Sequence, residues 1–339
     1  MTENGVLMNA NTLSPAVPMP AEATLLRPTF DAARMLSELA AVRTHAWDRQ
    51  RVYDDKGVGS QTDVDWRCLA LRSPGGDGDR TDPGGPGAED FADTEWLDQL
   101  PYVRQILGSI PAPLHAVRLM ALGPDTVGMD HTDPKYGPRW GVVRLHVPVV
   151  TNPAALLVLD GVEHAWQPGE FWFGDFSRTH RVQNHGAEAR THLVIDALVV
   201  PGLAEVFPQS WASYFADGDV LFNRQACPQR AVERARAACR LEIPVSFGLW
   251  ESEADLAVGE PTTLARVHET GSGLELALDT GQRLGLVHLG ESEYRFAGWS
   301  EERTLQLFTD GPTPSAVLRT RAGRQGQQLT VPVTPGQQR

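Results

Sequence analysis

The stretch WGVVRLHVPVV, residues 140–150, is one of six short runs rich in apolar residues of high β propensity. The other five runs are HAVRLMAL (115–122), ALLVLD (155–160), EFWFGDF (170–176), HRVQN (180–184) and THLVIDALVV (191–200). Turn residues separate each run from the next. Six short strands in series predict a sandwich, jelly roll or barrel rather than a parallel α/β sheet.

Segments with helical spacing flank this series of strands. Residues 30–46 carry apolar side chains at helical intervals behind a cap at Thr29 or Asp31. Three further segments are compatible with helices: residues 97–110, 204–215 and 229–241. We therefore expect a mainly β protein with flanking helices.

A second group of β-type runs follows residue 243. Its members are LARVHE (264–269), LELALD (274–279), RLGLVHLG (283–290), TLQLFTD (304–310) and QLTVPV (328–333). Turns that contain glycine separate them. We predict a smaller β-rich C-terminal domain with three roles left open: covering the mouth of an active site, binding a carrier or peptide substrate, or forming a homodimer.

These patterns divide the chain into four parts. We predict a disordered tail over residues 1–28, a β domain over 29–216, a helical linker over 217–242 and the small β-rich domain over 243–335. Residues 73–88 (SPGGDGDRTDPGGPGA) are too rich in Gly, Pro and Asp to bury much apolar surface. We expect that segment to be an exposed loop.

The composition is that of a soluble globular protein. The 339 residues include 30 Lys and Arg against 43 Asp and Glu, a formal net charge of -13, so the overall field repels nucleic acids and anionic membranes. The three cysteines have no CxxC spacing, which disfavours a zinc ribbon and a disulfide framework. No bilayer-spanning run or signal sequence is evident. We expect a cytoplasmic protein, and the Ala, Arg, Gly and Pro content is typical of a GC-rich bacterial genome.

Residues 131–133 (HTD) and His180 are the strongest candidates for a metal site. An iron(II) ion that activates oxygen needs two imidazoles and one carboxylate on one face, so that adjacent positions stay open. Residues i and i+2 of an extended segment project to the same side, so His131 and Asp133 can reach one metal. His180 has to come from a distant strand, which a β sandwich can bring close.

Arg190 lies at the start of the last β-type run. A hairpin centred on His185 would set His180 opposite Arg190, with Cβ atoms about 5 Å apart. A guanidinium at that position can hold a carboxylate with two hydrogen bonds. 2-Oxoglutarate, which chelates a metal at one end and carries a carboxylate at the other, would fit this arrangement.

The segments around these residues resemble a known family. HTD at 131–133, RLHVPV at 144–149, PGEFWFGDFSRTHRVQN at 168–184 and RTHLVID at 190–196 are similar to motifs of the aspartyl/asparaginyl β-hydroxylase family, which includes bacterial proline hydroxylases. The motifs occur in order over roughly residues 96–200. The resemblance implies an Fe(II)- and 2-oxoglutarate-dependent oxygenase whose 29–216 domain has a double-stranded β-helix core, a jelly roll of the cupin type.

The resemblance also implies roles for single residues. The iron ligands, which form the catalytic centre, would be His131, Asp133 and His180. Arg190 would bind the distal carboxylate of 2-oxoglutarate. Arg144 and His146, which share one strand face, would line the pocket of the co-substrate or the substrate.

The implied reaction is hydroxylation of an amino-acid side chain of the Asp, Asn or Pro type, with O2 as oxidant and succinate and CO2 as products. The substrate would be a free amino acid, a peptide or a carrier-bound intermediate. Two alternatives stay open: a cupin-like module that binds a small carboxylate without catalysis, and another cupin metalloenzyme such as a zinc or manganese isomerase or hydrolase. The complete His/Asp/His set favours the hydroxylase.

Other polar residues in this region have simpler explanations. His164 and His185 are expected on the surface, and Asp175 in a turn where its side chain bonds the local backbone. His192 is either a satisfied core histidine or a residue that orients the co-substrate. Arg118 is either a surface charge or a contact for a substrate carboxylate.

Overall fold

The computed structural model describes residues 15–54, 57–61, 63–251, 253–254, 256, 259–271 and 273–336. Two β domains follow one another along the chain: a jelly roll with helices on one face, then a closed barrel. The predicted fold class, a mainly β protein with a jelly-roll core and a smaller C-terminal β domain, is confirmed.

The jelly-roll domain contains the first fourteen strands and three helices. The strands are β1 (Ala23–Thr29), β2 (Asp48–Arg49), β3 (Arg51–Asp54), β4 (Gly57–Gln61), β5 (Trp66–Pro74), β6 (Phe91–Asp93), β7 (Leu114–Leu122), β8 (Thr126–Val127), β9 (Val142–Val150), β10 (Ala155–Leu159), β11 (Val162–His164), β12 (Glu170–Gly174), β13 (His180–Asn184) and β14 (Arg190–Leu198). The helices are α1 (Ala32–Val42), α2 (Pro101–Gly108) and α3 (Ala212–Asp217).

Two antiparallel sheets face each other in this domain. The larger sheet has the order β1-β12-β9-β14-β7-β5-β2, with β6 added to β5, and the smaller sheet has the order β11-β10-β13-β8. From β7 to β14 the chain passes repeatedly from one sheet to the other, which is the jelly-roll connection. A mainly apolar core fills the space between the sheets near β10 and β13.

The hairpin predicted to set His180 opposite Arg190 is wrong. β13 pairs with β10 and β8 in the smaller sheet, whereas β14 pairs with β7 and β9 in the larger sheet. The side-chain amide of Asn184 donates to the carbonyl oxygens of Gly123 and Glu188, at 3.0 and 2.8 Å, and so stabilises a crossing between sheets. Turn residues alone do not distinguish such a crossing from a hairpin.

β14 is buried on both faces, which explains its near-continuous apolar sequence. Leu193 and Ile195 point to the core under the helices. The alternate residues, among them His192 and Asp196, point into the space between the sheets. Polar residues on a fully buried strand therefore mark the inner surface of the jelly roll.

Helix α1 begins as the sequence predicts. Oδ1 of Asp31 accepts the backbone N–H of Ala33 and of Arg34, at 3.0 and 3.1 Å, so Asp31 rather than Thr29 is the cap. Met35 and Leu39 are buried one turn apart. This apolar face packs with α2 on the outer side of the larger sheet.

Part of the predicted disordered tail is ordered. Residues 1–14 lie outside the described residues, but β1 forms from Ala23 to Thr29 and pairs with β12. Its sequence ATLLRPT places Leu26 in the core. The single apolar residues of this segment gave no periodic pattern, so its pairing was not predicted.

The C-terminal domain is a closed antiparallel barrel of eight strands. They are β15 (Cys239–Pro244), β16 (Thr262–Thr270), β17 (Gly273–Leu278), β18 (Arg283–His288), β19 (Glu293–Phe296), β20 (Arg303–Phe308), β21 (Ser315–Ala322) and β22 (Gln325–Pro335). Its interior is apolar and includes Leu276, Tyr294, Leu305 and Leu318. All five runs predicted in this region lie within or overlap strands of the barrel.

The predicted helical linker over residues 217–242 is only partly helical. Helix α4 spans Ala231–Ala237, and a one-turn helix α5 (Val245–Gly248) follows β15. β15 begins at Cys239, where buried Cys239, Leu241 and Ile243 alternate with exposed Arg240 and Glu242. This period of two belongs to a strand, so the barrel begins before residue 243.

Residues 73–88, predicted as an exposed loop, pack against the barrel. The N–H of Gly87 donates to the carbonyl of Ala297 at 3.2 Å, and the N–H of Gly285 donates to the carbonyl of Gly87 at 2.8 Å. Asp82 is buried. The segment buries polar backbone because a second domain supplies its hydrogen bonds.

No helix in the described part of the chain is long and apolar enough to cross a membrane.

Candidate metal centre and adjoining cavity

The structure brings the three predicted metal ligands together. One ligand atom from each of His131, Asp133 and His180 lies within 4.8 Å of the other two. His131 and His180 exchange both backbone hydrogen bonds, with N to O distances of 3.0 and 2.8 Å. Their ring centroids are 4.2 Å apart. Backbone pairing therefore fixes two ligands that are distant in sequence.

Hydrogen bonds on the far side of each ring set the tautomer. Nδ1 of His131 lies 3.0 Å from the carbonyl oxygen of Met129, and Nδ1 of His180 lies 3.0 Å from that of Arg178. A carbonyl only accepts, so each Nδ1 carries a proton and each Nε2 of a neutral ring keeps its lone pair. Both Nε2 atoms lie 3.9 Å from an oxygen of Asp133. The lone pairs are thus available to a shared metal ion.

The protonation states also suit a metal. Burial alone would raise the pKa of Asp133, but Arg144, together with His180, holds it below its usual range. Burial lowers the pKa of His180 against the opposing attraction of Asp133. At neutral pH the site therefore offers an ionised carboxylate and a neutral imidazole, which are the forms that bind a metal.

The ligand set is open on one side. Side-chain exposure is 39% for His131, 19% for Asp133 and 5% for His180. Trp66 lies beside the exposed ring, with centroids 6.4 Å apart, and Phe176 packs edge-on against His180. A molecule from solvent would reach the three ligands from the His131 side.

Arg144 has different neighbours from those that the resemblance implies. Its Nε and Nη2 donate to the two carboxylate oxygens of Asp196, at 2.7 and 3.0 Å, and its Nη1 donates to Asp133. The guanidinium also lies over the ring of Tyr136, 4.3 Å from the centroid. Arg144 thus links the metal ligand Asp133 to Asp196, and a direct contact with co-substrate or substrate stays a prediction.

Arg190, His192 and His146 form a chain on the inner face of the larger sheet. Nη2 of Arg190 lies 2.9 Å from Nδ1 of His192, and Nδ1 of His146 lies 3.4 Å from the same atom. Because a guanidinium cannot accept, Nδ1 of His192 is the acceptor and Nδ1 of His146 the donor. His192, for which two roles were open, is buried and contacts Arg190 directly.

Several polar atoms beside this chain are buried without a partner. They include Nε2 of His146, Nε2 of His192 and Nε1 of Trp166, none of which has a hydrogen-bond partner among the described residues. The narrow cavity next to them is lined by Thr151, Ala155, Leu157, His164, Trp166, Arg190 and His192. Native interiors leave few such atoms unsatisfied, so this group is a candidate site for a water molecule or a polar ligand.

Arg190 is a buried cation without an acidic neighbour. Within the part of the chain that is described, no carboxylate lies at ion-pair distance from its guanidinium, and its one recorded hydrogen bond is to a histidine. Burial lowers the pKa of Arg190 to about 9, so the group stays charged at neutral pH. A buried charge of this kind is costly unless an anion binds to it.

Arg118 on β7 is a second buried cation. It is 1% exposed, and for the described residues none of its three guanidinium nitrogens has a hydrogen-bond partner. The carboxylate of Asp196 lies 3.8 Å away but is already bound to Arg144 and to the hydroxyl of Tyr136. The alternative of a surface charge is therefore wrong for Arg118.

The other predicted positions have mixed outcomes. His185 is exposed, and Asp175 forms the predicted turn, with its side chain accepting from Ser177 Oγ at 2.6 Å. His164, expected on the surface, instead lines the narrow cavity with a buried Nε2. Sequence reasoning missed Tyr136 and the pairing of Asp196. The cross-strand register of Asp196 and Arg144 explains that pairing but is not visible in the sequence.

A larger cavity of about 520 Å³ opens on the opposite face of the larger sheet. Its lining residues are Arg43, His45, Trp47, Arg67, Ala121, Pro124, Val150, Ala187, Glu188, Ala189 and Thr191. The three metal-ligand candidates and the two buried arginines are not among them. The chemistry described above therefore belongs to the interior of the jelly roll.

The fold and the site together define a jelly-roll protein with a His/Asp/His group that could hold a metal ion. A family model described as aspartyl/asparaginyl beta-hydroxylase matches residues 30–199, half of the chain. The chain belongs to this family, as the motifs indicated. It is therefore an oxidoreductase of the hydroxylase type.

Three solved structures show weaker likenesses. An oxidoreductase of the 2OG-Fe(II) oxygenase family from Burkholderia pseudomallei is 14% identical, with a TM-score of 0.35 over 52% of this chain and 84% of that protein. A prolyl hydroxylase from Trichoplax adhaerens, in complex with a hypoxia inducible factor peptide fragment, is 9% identical, with a TM-score of 0.36 over 55% and 87%. A viral collagen prolyl hydroxylase from Paramecium Bursaria Chlorella virus-1, in its 2OG complex, is 10% identical, with a TM-score of 0.31 over 53% and 98%.

A comparison with curated proteins gave no match.

Proposed function

We propose that the protein is an Fe(II)- and 2-oxoglutarate-dependent dioxygenase that hydroxylates an amino-acid side chain. The substrate would be of the Asp, Asn or Pro type, as a free amino acid, a peptide or a carrier-bound intermediate. Family membership supports the reaction class. The residues of the interior supply the chemical argument for the metal and the co-substrate.

The donor set fits iron(II). Two Nε2 lone pairs and one ionised carboxylate from His131, Asp133 and His180 converge from one side, which is the ligand pattern of non-haem iron oxygenases. The bound iron would supply the activation of O2 and the oxidation of an unactivated C–H bond. The protein residues bind and orient the reactants and exclude water around them.

The surroundings of Arg190 are the observation that supports 2-oxoglutarate as the co-substrate. Its buried guanidinium has no carboxylate partner among the described residues, and the N–H of His192 Nε2 and of Trp166 Nε1 offer further unused donors in the same cavity. A dicarboxylate that reaches from the metal to Arg190 would satisfy them together. A carboxylate-binding module without catalysis does not need the three metal-ligand candidates. Another cupin metalloenzyme does not need the buried cation Arg190.

Arg118 supports a substrate that carries a carboxylate. Its nitrogens are unpaired, and its charge contributes to the low pKa of Asp133, which places it in the same interior. Asp196 nearby carries the opposite charge. An amino acid held by Arg118 would thus lie close to the metal ligands, which is where a C–H bond has to be presented.

The test compares wild-type protein with Arg190→Ala and measures the succinate that each releases when a substrate is present. With Fe(II), 2-oxoglutarate and a panel of amino acids and peptides, wild-type protein should release succinate with at least one substrate. Arg190→Ala should lose most 2-oxoglutarate affinity, a loss of about 100-fold or more, because a buried bidentate contact disappears.

Arg67→Ala is the matched control, because Arg67 lies on β5 of the same sheet but is 46% exposed and paired with Asp65. We expect its 2-oxoglutarate affinity to stay within twofold of the wild-type value. Equal affinities in the Arg190 and Arg67 variants would contradict the co-substrate site. Metal binding without any 2-oxoglutarate turnover would favour the binding module instead.

A further inference from the structure

The loop over residues 134–141 joins the metal-ligand pair to β9. It follows Asp133 directly, so its conformation contributes, with the contacts to Phe176 and Arg144, to the position of that carboxylate. Lys135 in this loop has a φ of 61°, a left-handed conformation that is uncommon for a residue with a side chain. Such a conformation persists when the surroundings hold it, and the contacts of Lys135 show what does so.

The barrel provides the contact for Lys135. Its Nζ donates to Oε1 of Glu302 at 3.0 Å, and both side chains are almost fully buried. Oε2 of Glu302 accepts from Nε1 of Trp299 at 3.1 Å and lies 3.2 Å from Nε of Arg303. Two barrel residues thus hold the carboxylate of Glu302 in place, and its other oxygen binds Lys135 in the loop of the jelly roll.

Two more loop residues are held by the barrel. Oγ of Ser300 donates to the carbonyl oxygen of Trp140 at 2.6 Å. The backbone N–H of Gly323 donates to the carbonyl oxygen of Arg139, also at 2.6 Å. Together with Lys135, these residues bind one short loop at both of its ends. These contacts act on the loop that follows Asp133, unlike the ion pair between Asp90 and Arg295, which holds a different loop.

We propose that Glu302 of the barrel is a positioning residue for the metal centre, which acts through Lys135 to hold the loop that carries Asp133. The C-terminal domain then completes the geometry of the site without contributing a ligand. This inference rests on the proposed function, because it takes His131, Asp133 and His180 to be metal ligands. It assigns the C-terminal domain a role different from the three that the sequence left open.

The test is a titration of the full chain with Co(II), followed by visible absorption, with circular dichroism as the check of folding. Wild-type protein should bind one Co(II). Glu302→Gln keeps the shape of the side chain but removes the charge that holds Lys135, so we expect affinity for Co(II) to fall about 10-fold. Its Co(II) spectrum should change as well, because the position of Asp133 is altered.

Asp90→Asn is the control, because it breaks another ion pair between the domains, with an N to O distance of 2.8 Å. We expect lower thermal stability but a Co(II) affinity within twofold of the wild-type value. Folded Glu302→Gln with unchanged affinity and spectrum would overturn the role of Glu302. A wild-type protein that binds no Co(II) would contradict the metal site itself.

Lys135→Met covers the case in which Glu302→Gln does not fold. It leaves Glu302 with Trp299 and Arg303 as partners and removes the ion pair between the barrel and the loop. We again expect a loss of about 10-fold in Co(II) affinity. An affinity equal to that of the wild type would overturn the proposal by this route.

Discussion

Each β domain of the protein contains an arginine that is only 1% exposed, but these two arginines have opposite surroundings. Arg303 of the barrel donates to the carbonyls of Ser246 and Phe247, both at 2.9 Å, and lies beside Glu302. Arg118 of the jelly roll is equally buried, and in the described structure no hydrogen-bond partner faces its nitrogens. Because Arg118 and Arg303 are buried to the same extent, the two sites differ in the hydrogen-bond partners of the guanidinium.

The contrast extends to the whole interior of each domain. The barrel encloses an apolar core, and its buried charged residues, such as Glu293 and Arg303, have ion-pair partners. The jelly roll encloses histidines with unsatisfied ring nitrogens, Arg118 without a hydrogen-bond partner, and Arg190 without a carboxylate partner in the described residues. Removing one partner of a buried, paired charge is costly, whereas a buried charge without partners marks a candidate site for a ligand.

The largest effect is expected from the metal ligands. His131→Ala or His180→Ala should abolish turnover and metal binding, while the free energy of unfolding changes by less than about 2 kcal/mol, because a ligand site on a rigid sheet seldom carries the fold. The measurement is succinate release together with denaturant unfolding. His288→Ala on the barrel is the control and should retain turnover. Gross unfolding of both ligand variants would contradict a purely functional role.

The next effect separates the two arginines. Arg303→Met should cost about 3 kcal/mol of stability, because it removes a buried donor from the carbonyls of Ser246 and Phe247 and a cation from beside Glu302. Arg118→Met should change stability by less than about 1 kcal/mol or increase it, because no hydrogen bond in the described structure is lost. Denaturant unfolding of both metal-free variants measures the difference. Equal losses in the two variants would remove the contrast between the domains.

The smallest effect concerns pH. The buried histidines in the described chain all lie in the jelly roll, and His115, stacked on Phe91, is one of them. Burial, with a contribution from Arg295, lowers the pKa of His115 from 6.5 to about 4. The unfolded chain therefore takes up a proton below pH 6.5 while the folded chain does not, so stability present above pH 6.5 is lost as the pH falls towards 4.

His115→Phe tests this contribution because it keeps the stacking and removes the titration. Between pH 7 and pH 5 the variant should lose about 2 kcal/mol less stability than the wild type. If His115→Phe follows the wild-type curve, protonation of His115 does not contribute to acid unfolding.

The sequence predicted those parts of the fold that depend on local periodicity. The six central runs became strands, and the HTD motif with His180 converged because a jelly roll brings these strands together. β15 was assigned to a helix because an Ala- and Arg-rich segment leads into it, although its own residues alternate in and out. Local composition predicted the element type well only where one period extended over the whole segment.

The remaining features depend on contacts between distant parts of the chain. The pairing of Arg144 with Asp196 follows from strand register, and the burial of residues 73–88 follows from docking of the barrel. Between β13 and β14 the chain crosses from the smaller sheet to the larger one. The turn sequence there does not distinguish this crossing from a hairpin. None of these contacts has a counterpart in the spacing of residues along one sequence.

Strand β1 has a practical consequence for work with this protein. The family match starts at Phe30, but β1 ends at Thr29 and covers the outer edge of β12 in the larger sheet. A shortened protein that begins at residue 30 would expose the backbone N–H and C=O groups of β12 as an open edge, which invites pairing between molecules and precipitation. The residues before the family match are therefore needed to keep the protein monodisperse.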